Sequence, residues 1–176
     1  MALKPTIFKL KIMLSDLDRN CFETLQLTIA QHPSETTERM MVRVLAYCIN
    51  FDEQLEFGKG LSTADEPDLW LRTLDGRTSL WIDVGEPATE RIKKASRIAD
   101  TVKVYSFNAK SAVWWNQEGE KLSALGAEVY QVDWPSIQQL AALVERTMDF
   151  TLTLSEGSAY FSAAERECEV SWRKLG

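Results

Sequence analysis

The sequence is poor in the residues that interrupt regular structure and in those that build the commonest catalytic centres. It contains 8 glycines, 5 prolines, 3 cysteines and 1 histidine in 176 residues. Because glycine and proline fall below their usual share, most of the chain is expected to lie in helices and strands. The cysteines lack the spacing of a zinc ribbon, and a Ser-His-Asp triad would depend on His32 alone. No glycine-rich phosphate loop is present. The sequence therefore does not support a zinc-dependent, nucleotide-hydrolysing or hydride-transferring enzyme.

An excess of positive charge and a long apolar run are also missing. The chain has 20 Lys and Arg against 26 Asp and Glu, a net charge of −6. Because binding to nucleic acid is driven by clustered cations, any such contact must come from a local basic patch. No apolar run approaches the ~18 residues of a membrane span, and no signal-peptide core is present. We expect a cytoplasmic protein with reduced cysteines and no membrane contact; nothing indicates an oligomeric state.

The composition is typical of a globular protein, with 45% hydrophobic and 26% charged residues. No linker, repeat or low-complexity segment divides the chain, so we expect one domain over residues 1–176. Apolar residues alternate over 6–14 and 21–30, which predicts an N-terminal β-hairpin. The alternation returns over 147–173, with a turn predicted at Glu156-Gly157-Ser158. The terminal strands are expected to pair into a side sheet.

The middle of the chain alternates between helical and strand patterns. The predicted elements are a helix opening at 32–35 with Ser34 as its cap, a strand at 68–74, a two-residue turn at Asp75-Gly76, a strand at 78–84, a helix at 88–99, a strand at 101–107, a helix at 110–125, a strand at 127–132 and a helix at 135–146. This order predicts an α/β fold whose mixed sheet is covered by helices.

Two carboxylates are the first candidates for chemistry. Asp68 precedes the turn at Asp75-Gly76 by about as many residues as Asp83 follows it, so an antiparallel hairpin places them opposite each other, roughly 5 Å apart on one face. Such a pair would repel unless a cation lies between them, and oxygen ligands suit Mg²⁺ or Mn²⁺. The alternative is two solvated acids at the open end of a hairpin.

A local basic patch follows the second aspartate. Residues 88–110 carry six Lys and Arg against two acidic residues. Arg91, Lys94 and Arg97 recur every three positions and fall near one helix face, where they could contact nucleic-acid phosphates. An ordinary solvated helix face is the alternative.

The first predicted helix carries a third acid. Glu35, Arg39 and Arg43 recur every four residues, which is the spacing of an i,i+4 ion pair. Alternatively, Glu35, or Glu38 further along the chain, points towards the two aspartates.

Several strings together resemble the YaeQ family of bacterial proteins across essentially the whole chain. They are His-Pro-Ser-Glu-Thr (32–36) with Arg-Met-Met-Val-Arg (39–43), Leu-Ser-Thr-Ala-Asp-Glu-Pro-Asp-Leu-Trp (61–70), Leu-Trp-Ile-Asp-Val-Gly (80–85), Arg-Ile-Lys-Lys-Ala (91–95) and Trp-Trp (114–115). The resemblance implies a variant of the PD-(D/E)XK, or restriction-endonuclease-like, fold with an added sheet from the two termini.

The resemblance also implies roles for individual residues. Glu35 or Glu38 would be the helix acid, Pro67-Asp68 the Pro-Asp element, and Asp83-Val84-Gly85 would stand in place of the acidic-x-Lys element. Glu35, Asp68 and Asp83 would then bind Mg²⁺ or Mn²⁺ for metal-assisted phosphodiester hydrolysis. Gly85 stands at the position where that element has a lysine. Lys94 is the favoured substitute cation, and Lys93 and Arg91 are weaker ones.

A second function class remains open beside hydrolysis. The same fold could serve as a catalytically inactive module that binds nucleic acid or a protein, with the acids only positioning a loop. Gly85 and the net negative charge favour this alternative.

Overall fold

A computed structural model describes residues 4–59, 61 and 63–176. In chain order these residues form the strands and helices β1 (Thr6–Asp16), β2 (Cys21–Gln31), α1 (Thr37–Ile49), β3 (Leu55–Phe57), β4 (Leu69–Arg72), β5 (Thr78–Val84), α2 (Thr89–Ile98), β6 (Ala99–Ser106), α3 (Ser111–Ala124), β7 (Glu128–Val132), α4 (Trp134–Leu143), β8 (Thr147–Ser155), β9 (Ser158–Ala163) and β10 (Arg166–Lys174). The prediction of a mixed α/β fold is confirmed.

The first compact unit comprises the chain up to Met41 together with Asp133–Trp172. Its strands follow the order β2-β1-β8-β9-β10. The N-terminal hairpin is antiparallel, and β1 also pairs in parallel with β8, so the predicted side sheet from both termini is confirmed. Period-two alternation buries one face of β1, which carries Phe8, Leu10, Ile12 and Leu14. The turn predicted after β8 is present, with Glu156 and Gly157 at positive φ.

The second compact unit comprises Val42–Val132 and Arg173–Gly176. Its strands follow the order β7-β6-β5-β4-β3. The first three strands in chain order are antiparallel, whereas β5, β6 and β7 are parallel. The parallel connections run through α2 and α3. These helices and one face of the strands enclose an apolar cluster made of Trp81, Ile92, Ala95, Ala99, Val102, Val104, Leu122, Ala127 and Val129.

The start of α1 differs from the prediction. The helix begins at Thr37, and the Thr36 hydroxyl oxygen accepts a hydrogen bond from the backbone N–H of Arg39 at 3.2 Å. Thr36 therefore acts as the cap. Ser34 is not the cap, because its hydroxyl lies 2.7 Å from Nδ1 of His32.

The β4–β5 hairpin also differs from the prediction. Thr73 and Arg77 are joined by a backbone hydrogen bond of 2.8 Å, and Gly76 has φ +86°. The loop therefore holds three residues instead of two, and a register shift at Leu71/Arg72 accompanies it. β4 is correspondingly shorter than predicted.

Two further boundaries correct the prediction. β3 lies in a segment for which no strand is predicted, because three residues are too few to show alternation. α4 runs from Trp134 to Leu143 and not from 135 to 146, with proline in its first turn as predicted and Asp133 as its cap.

Candidate functional site

Asp68 and Asp83 lie at the open end of the β4–β5 hairpin in the second unit. The ladder pairs Leu69 with Ile82, so Asp68 directly precedes the last paired residue of β4 and Asp83 directly follows that of β5. The backbone N–H of Asp68 donates to the Ile82 carbonyl at 3.1 Å. Both aspartates are 3% exposed or less. Their spacing therefore places both at the same end of the hairpin, as predicted.

Asp83 is held by an arginine from the following helix. Nε of Arg91 donates to Oδ2 of Asp83 at 2.8 Å, and Nη2 donates to Oδ1 at 3.2 Å. This two-point contact is the strong geometry of arginine–carboxylate pairs. The Asp83 side chain is 3% exposed and that of Arg91 32%. A buried carboxylate thus has its counter-charge built into the fold.

The same guanidinium also holds the segment before β4. Nη2 of Arg91 donates to the Glu66 carbonyl at 2.9 Å, and Nη1 donates to the Ala64 carbonyl. Its central carbon lies 5.6 Å from the centre of the Trp81 ring, within cation–π range. Arg91 therefore joins β5, α2 and the segment containing Ala64 and Glu66 through one side chain.

Asp68 has a backbone partner. Its Oδ2 accepts a hydrogen bond of 2.8 Å from the N–H of Val84, and its own carbonyl accepts one of 2.9 Å from Gly58. These bonds position the end of β5 against the start of β4. The carboxylate of Asp68 has a structural task whether or not it has a chemical one.

Glu35 lies in the first unit, before α1 rather than on it. Its side chain is 1% exposed, and its Oε2 lies 2.6 Å from Nη1 of Arg39. The predicted i,i+4 ion pair is therefore confirmed, although one partner precedes the helix. Glu38 is on the first turn of α1.

The basic residues of 88–110 divide into separate groups. Lys93, Lys94 and Arg97 are exposed on α2, whereas Arg91 faces Asp83. Lys103 on β6 donates to Oδ1 of Asn50 at 2.8 Å. Of the three residues predicted to contact phosphates, Lys94 and Arg97 are exposed, whereas the guanidinium of Arg91 is bound to Asp83.

Gly85 occupies a backbone conformation that disfavours a side chain. Its φ is +112°, and an added Cβ would meet nothing within 4 Å. The absence of the expected lysine is thus tied to the path of the chain, since only glycine adopts this region without strain.

Restoring the lysine should therefore destabilise the protein. We expect Gly85→Lys to lower the free energy of unfolding by about 1–3 kcal/mol from backbone strain alone, measured by urea denaturation. Ala88→Lys is the matched control, because Ala88 is exposed and has φ −67°. Equal stability of the two variants would contradict the strain argument.

The carboxylates do not fit a magnesium site as they stand. Within the ranges that the structure describes, no group of three or more His, Cys, Asp or Glu could hold a metal ion. A cation between Asp68 and Asp83 would have to displace Arg91 from Asp83, losing both charge-assisted hydrogen bonds.

The comparisons with known proteins cover nearly the whole chain. The family model described as "YaeQ protein" matches residues 1–172. The chain belongs to the YaeQ family. The YaeQ protein of Salmonella typhi is 41% identical over 172 residues, covering 97% of this chain and 95% of that protein. YaeQ of Escherichia coli K12 is 40% identical over 173 residues, covering 97% and 96%. Both relatives carry the description "uncharacterized".

Solved structures of the YaeQ family share the fold. The crystal structure of YaeQ from Xanthomonas axonopodis pv. citri superimposes with a TM-score of 0.92 at 34% identity, covering 97% of each chain. That of YaeQ from Pseudomonas syringae also gives 0.92, at 35% identity, covering 98% of this chain and 96% of the other. In this YaeQ-family chain, no helix of the described ranges is long and apolar enough to span a membrane.

The cation that contacts Asp83 differs from the one favoured from the sequence. Lys94, the favoured substitute cation, is exposed, and Arg91 makes the contact. A signal was available, because Arg91 falls in the first turn of α2, directly after the strand that carries Asp83. The hydrogen bonds from Arg91 to the Ala64 and Glu66 carbonyls could not be predicted from the sequence, since every residue has a backbone carbonyl.

Proposed function

We propose that this YaeQ-family protein is a nucleic-acid-binding module on a restriction-endonuclease-like core that does not hydrolyse its ligand. The order of α1, β3, β4, β5, α2 and β6 supports that core assignment. So does the position of Asp83 on β5 and of Asp68 directly before its partner strand β4. The proposal thus takes the non-catalytic alternative over metal-assisted hydrolysis.

The Arg91–Asp83 contact carries the proposal. Hydrolysis at this centre needs a carboxylate free to hold a divalent cation and a cation free to meet the phosphate. Here the Asp83 carboxylate already accepts two hydrogen bonds from the Arg91 guanidinium. The guanidinium also donates to two backbone carbonyls. Gly85 offers no lysine to replace it.

The exposed side of α2 is the proposed binding surface. Lys93, Lys94 and Arg97 are exposed there, and each can neutralise a phosphate and release counterions. Because the net charge of the whole chain is −6, its affinity for a polyanion should be modest and strongly dependent on salt.

Reversing these three charges should weaken nucleic-acid binding and reduce its dependence on salt concentration. For Lys93→Glu/Lys94→Glu/Arg97→Glu we expect at least about a tenfold loss of affinity for a mixed-sequence oligonucleotide in low salt. The slope of log affinity against log salt should fall by about 2–3 if each residue contacts one phosphate. Fluorescence anisotropy with the full chain measures both quantities.

A matched variant separates a local patch from net charge. Lys4→Glu/Lys9→Glu/Lys11→Glu changes the same number of exposed charges in the first unit and should keep the wild-type salt slope. If both triple variants lose affinity equally, or if the wild type binds no oligonucleotide, the proposed function fails.

A further inference from the structure

The edge strand β2 lacks the features that usually protect a sheet edge. Among the described strands, none pairs with its outer side. It is 11 residues long and pairs with β1 in an unbroken register. Between Cys21 and Gln31 it contains no Pro, Lys or Arg, and Glu23 is its single charge. Long, regular, weakly charged edges of this kind readily add another strand.

The sequence of β2 is symmetric about Gln26. Thr24-Leu25-Gln26-Leu27-Thr28 reads identically in both directions. If two copies pair antiparallel about a two-fold axis at Gln26, each residue meets its mirror position. Thr24 then lies opposite the partner's Thr28, and Leu25 lies opposite the partner's Leu27. Such isologous pairing is the commonest route to a homodimer.

The burial along β2 agrees with this register. Leu25 is 6% exposed, while Leu27 on the same face is half-buried. The pairing would place the partner's Leu25 beside Leu27 and extend the apolar face across the junction. Thr24 and Thr28 are exposed on the opposite face, where Thr–Thr pairs are favourable.

The single charge does not oppose the pairing. Glu23 would lie opposite the partner's Ile29, so the two copies of Glu23 stand six positions apart. At about 3.3 Å per residue this is ~20 Å, beyond the ~8–10 Å over which exposed charges interact at physiological salt.

We propose that β2 is a self-association edge, where a second copy of this chain adds antiparallel in the register centred on Gln26. The symmetric sequence selects a second copy over an unrelated peptide, because only the same chain supplies the mirrored residues. This inference is independent of the proposed nucleic-acid function.

A pair of charge variants at the same two positions tests the register. In Thr24→Lys/Thr28→Lys, lysine faces lysine twice across the two-fold axis. In Thr24→Lys/Thr28→Glu, lysine faces glutamate twice. Sedimentation velocity over a concentration series should show a wild-type dimer, a dimer of Thr24→Lys/Thr28→Glu with similar affinity, and about tenfold weaker association for Thr24→Lys/Thr28→Lys.

Cysteine cross-linking provides the second readout, in a Cys21→Ser/Cys168→Ser background. Gln26→Cys should form a disulfide-linked dimer, because directly opposed residues have Cα atoms about 4.5–5.5 Å apart, within disulfide range. Thr24→Cys should not, because its two copies would be ~13 Å apart. A monomeric wild type at every concentration, equal behaviour of the two charge variants, or equal cross-linking at both positions would overturn the proposal.

Discussion

Replacing Arg91 with alanine is expected to lower the free energy of unfolding by about 2–4 kcal/mol. The substitution leaves the Asp83 carboxylate, 3% exposed, without its counter-charge. It also removes the donors to the Ala64 and Glu66 carbonyls. The value lies towards the lower end of the cost of breaking a fully buried pair, because Arg91 is 32% exposed. Urea denaturation monitored by tryptophan fluorescence measures it.

Two variants define the origin of this loss. Lys94→Ala, exposed on the same helix, should change stability by no more than about 0.5 kcal/mol. Asp83→Asn should cost less than Arg91→Ala, because the arginine left behind is partly hydrated whereas the aspartate is not. If Arg91→Ala is as stable as Lys94→Ala, the guanidinium does not hold this part of the fold.

Magnesium is expected to stabilise the Arg91→Ala variant and not the wild type. Without the guanidinium, Asp83 loses both hydrogen bonds from Arg91, and Mg²⁺ binds readily to one or two carboxylates completed by water. At a concentration of ~100 times its Kd, the ion should add about 2.7 kcal/mol. At this chain length that corresponds to roughly 5–10 °C in Tm. Thermal unfolding in EDTA and in Mg²⁺ measures the shift.

The double variant Asp83→Asn/Arg91→Ala is the control, since it removes the Asp83 carboxylate as well as the guanidinium. Its Tm should be the same with and without Mg²⁺. A shift in wild type comparable to that in Arg91→Ala would show that Arg91 does not block the carboxylates, and would favour the metal-dependent alternative.

Sequence reasoning was most accurate where short-range patterns determine structure. The alternation in β1 and β2 predicted the hairpin and its buried face. Counting from the glycine turn placed Asp68 beside the end of β5, where its N–H donates to the Ile82 carbonyl. Both results depend on the strict two-residue period of strands, because it allows side-chain direction and register to be counted over a few residues.

The errors arose where several residues could serve the same local purpose. Ser34 and Thr36 are both suitable caps, and the difference depends on Ser34 bonding to His32. The Asp75-Gly76 dipeptide is compatible with two- and three-residue loops, which differ in which residues have positive φ. Local propensity does not separate such alternatives; the surrounding contacts do.

The position of the candidate site could be predicted from the sequence, but the partner of the Asp83 carboxylate could not. Two acids on adjacent strands and a basic helix after them are visible as spacing. Whether the carboxylate of Asp83 faces a metal ion or Arg91 depends on the rotation of α2 about its axis and on carbonyls before β4. These are tertiary features, and one residue along the helix changes the direction of a side chain by about 100°.

The proposed function is binding of nucleic acid without cleavage. The most direct test is incubation of end-labelled, mixed-sequence oligonucleotides with the wild-type protein in EDTA and in Mg²⁺ or Mn²⁺, reading bound fraction and label length together. Our account predicts salt-dependent binding of equal affinity in both buffers and an intact label. Shorter products that require the metal ion and disappear in Asp83→Asn would contradict it.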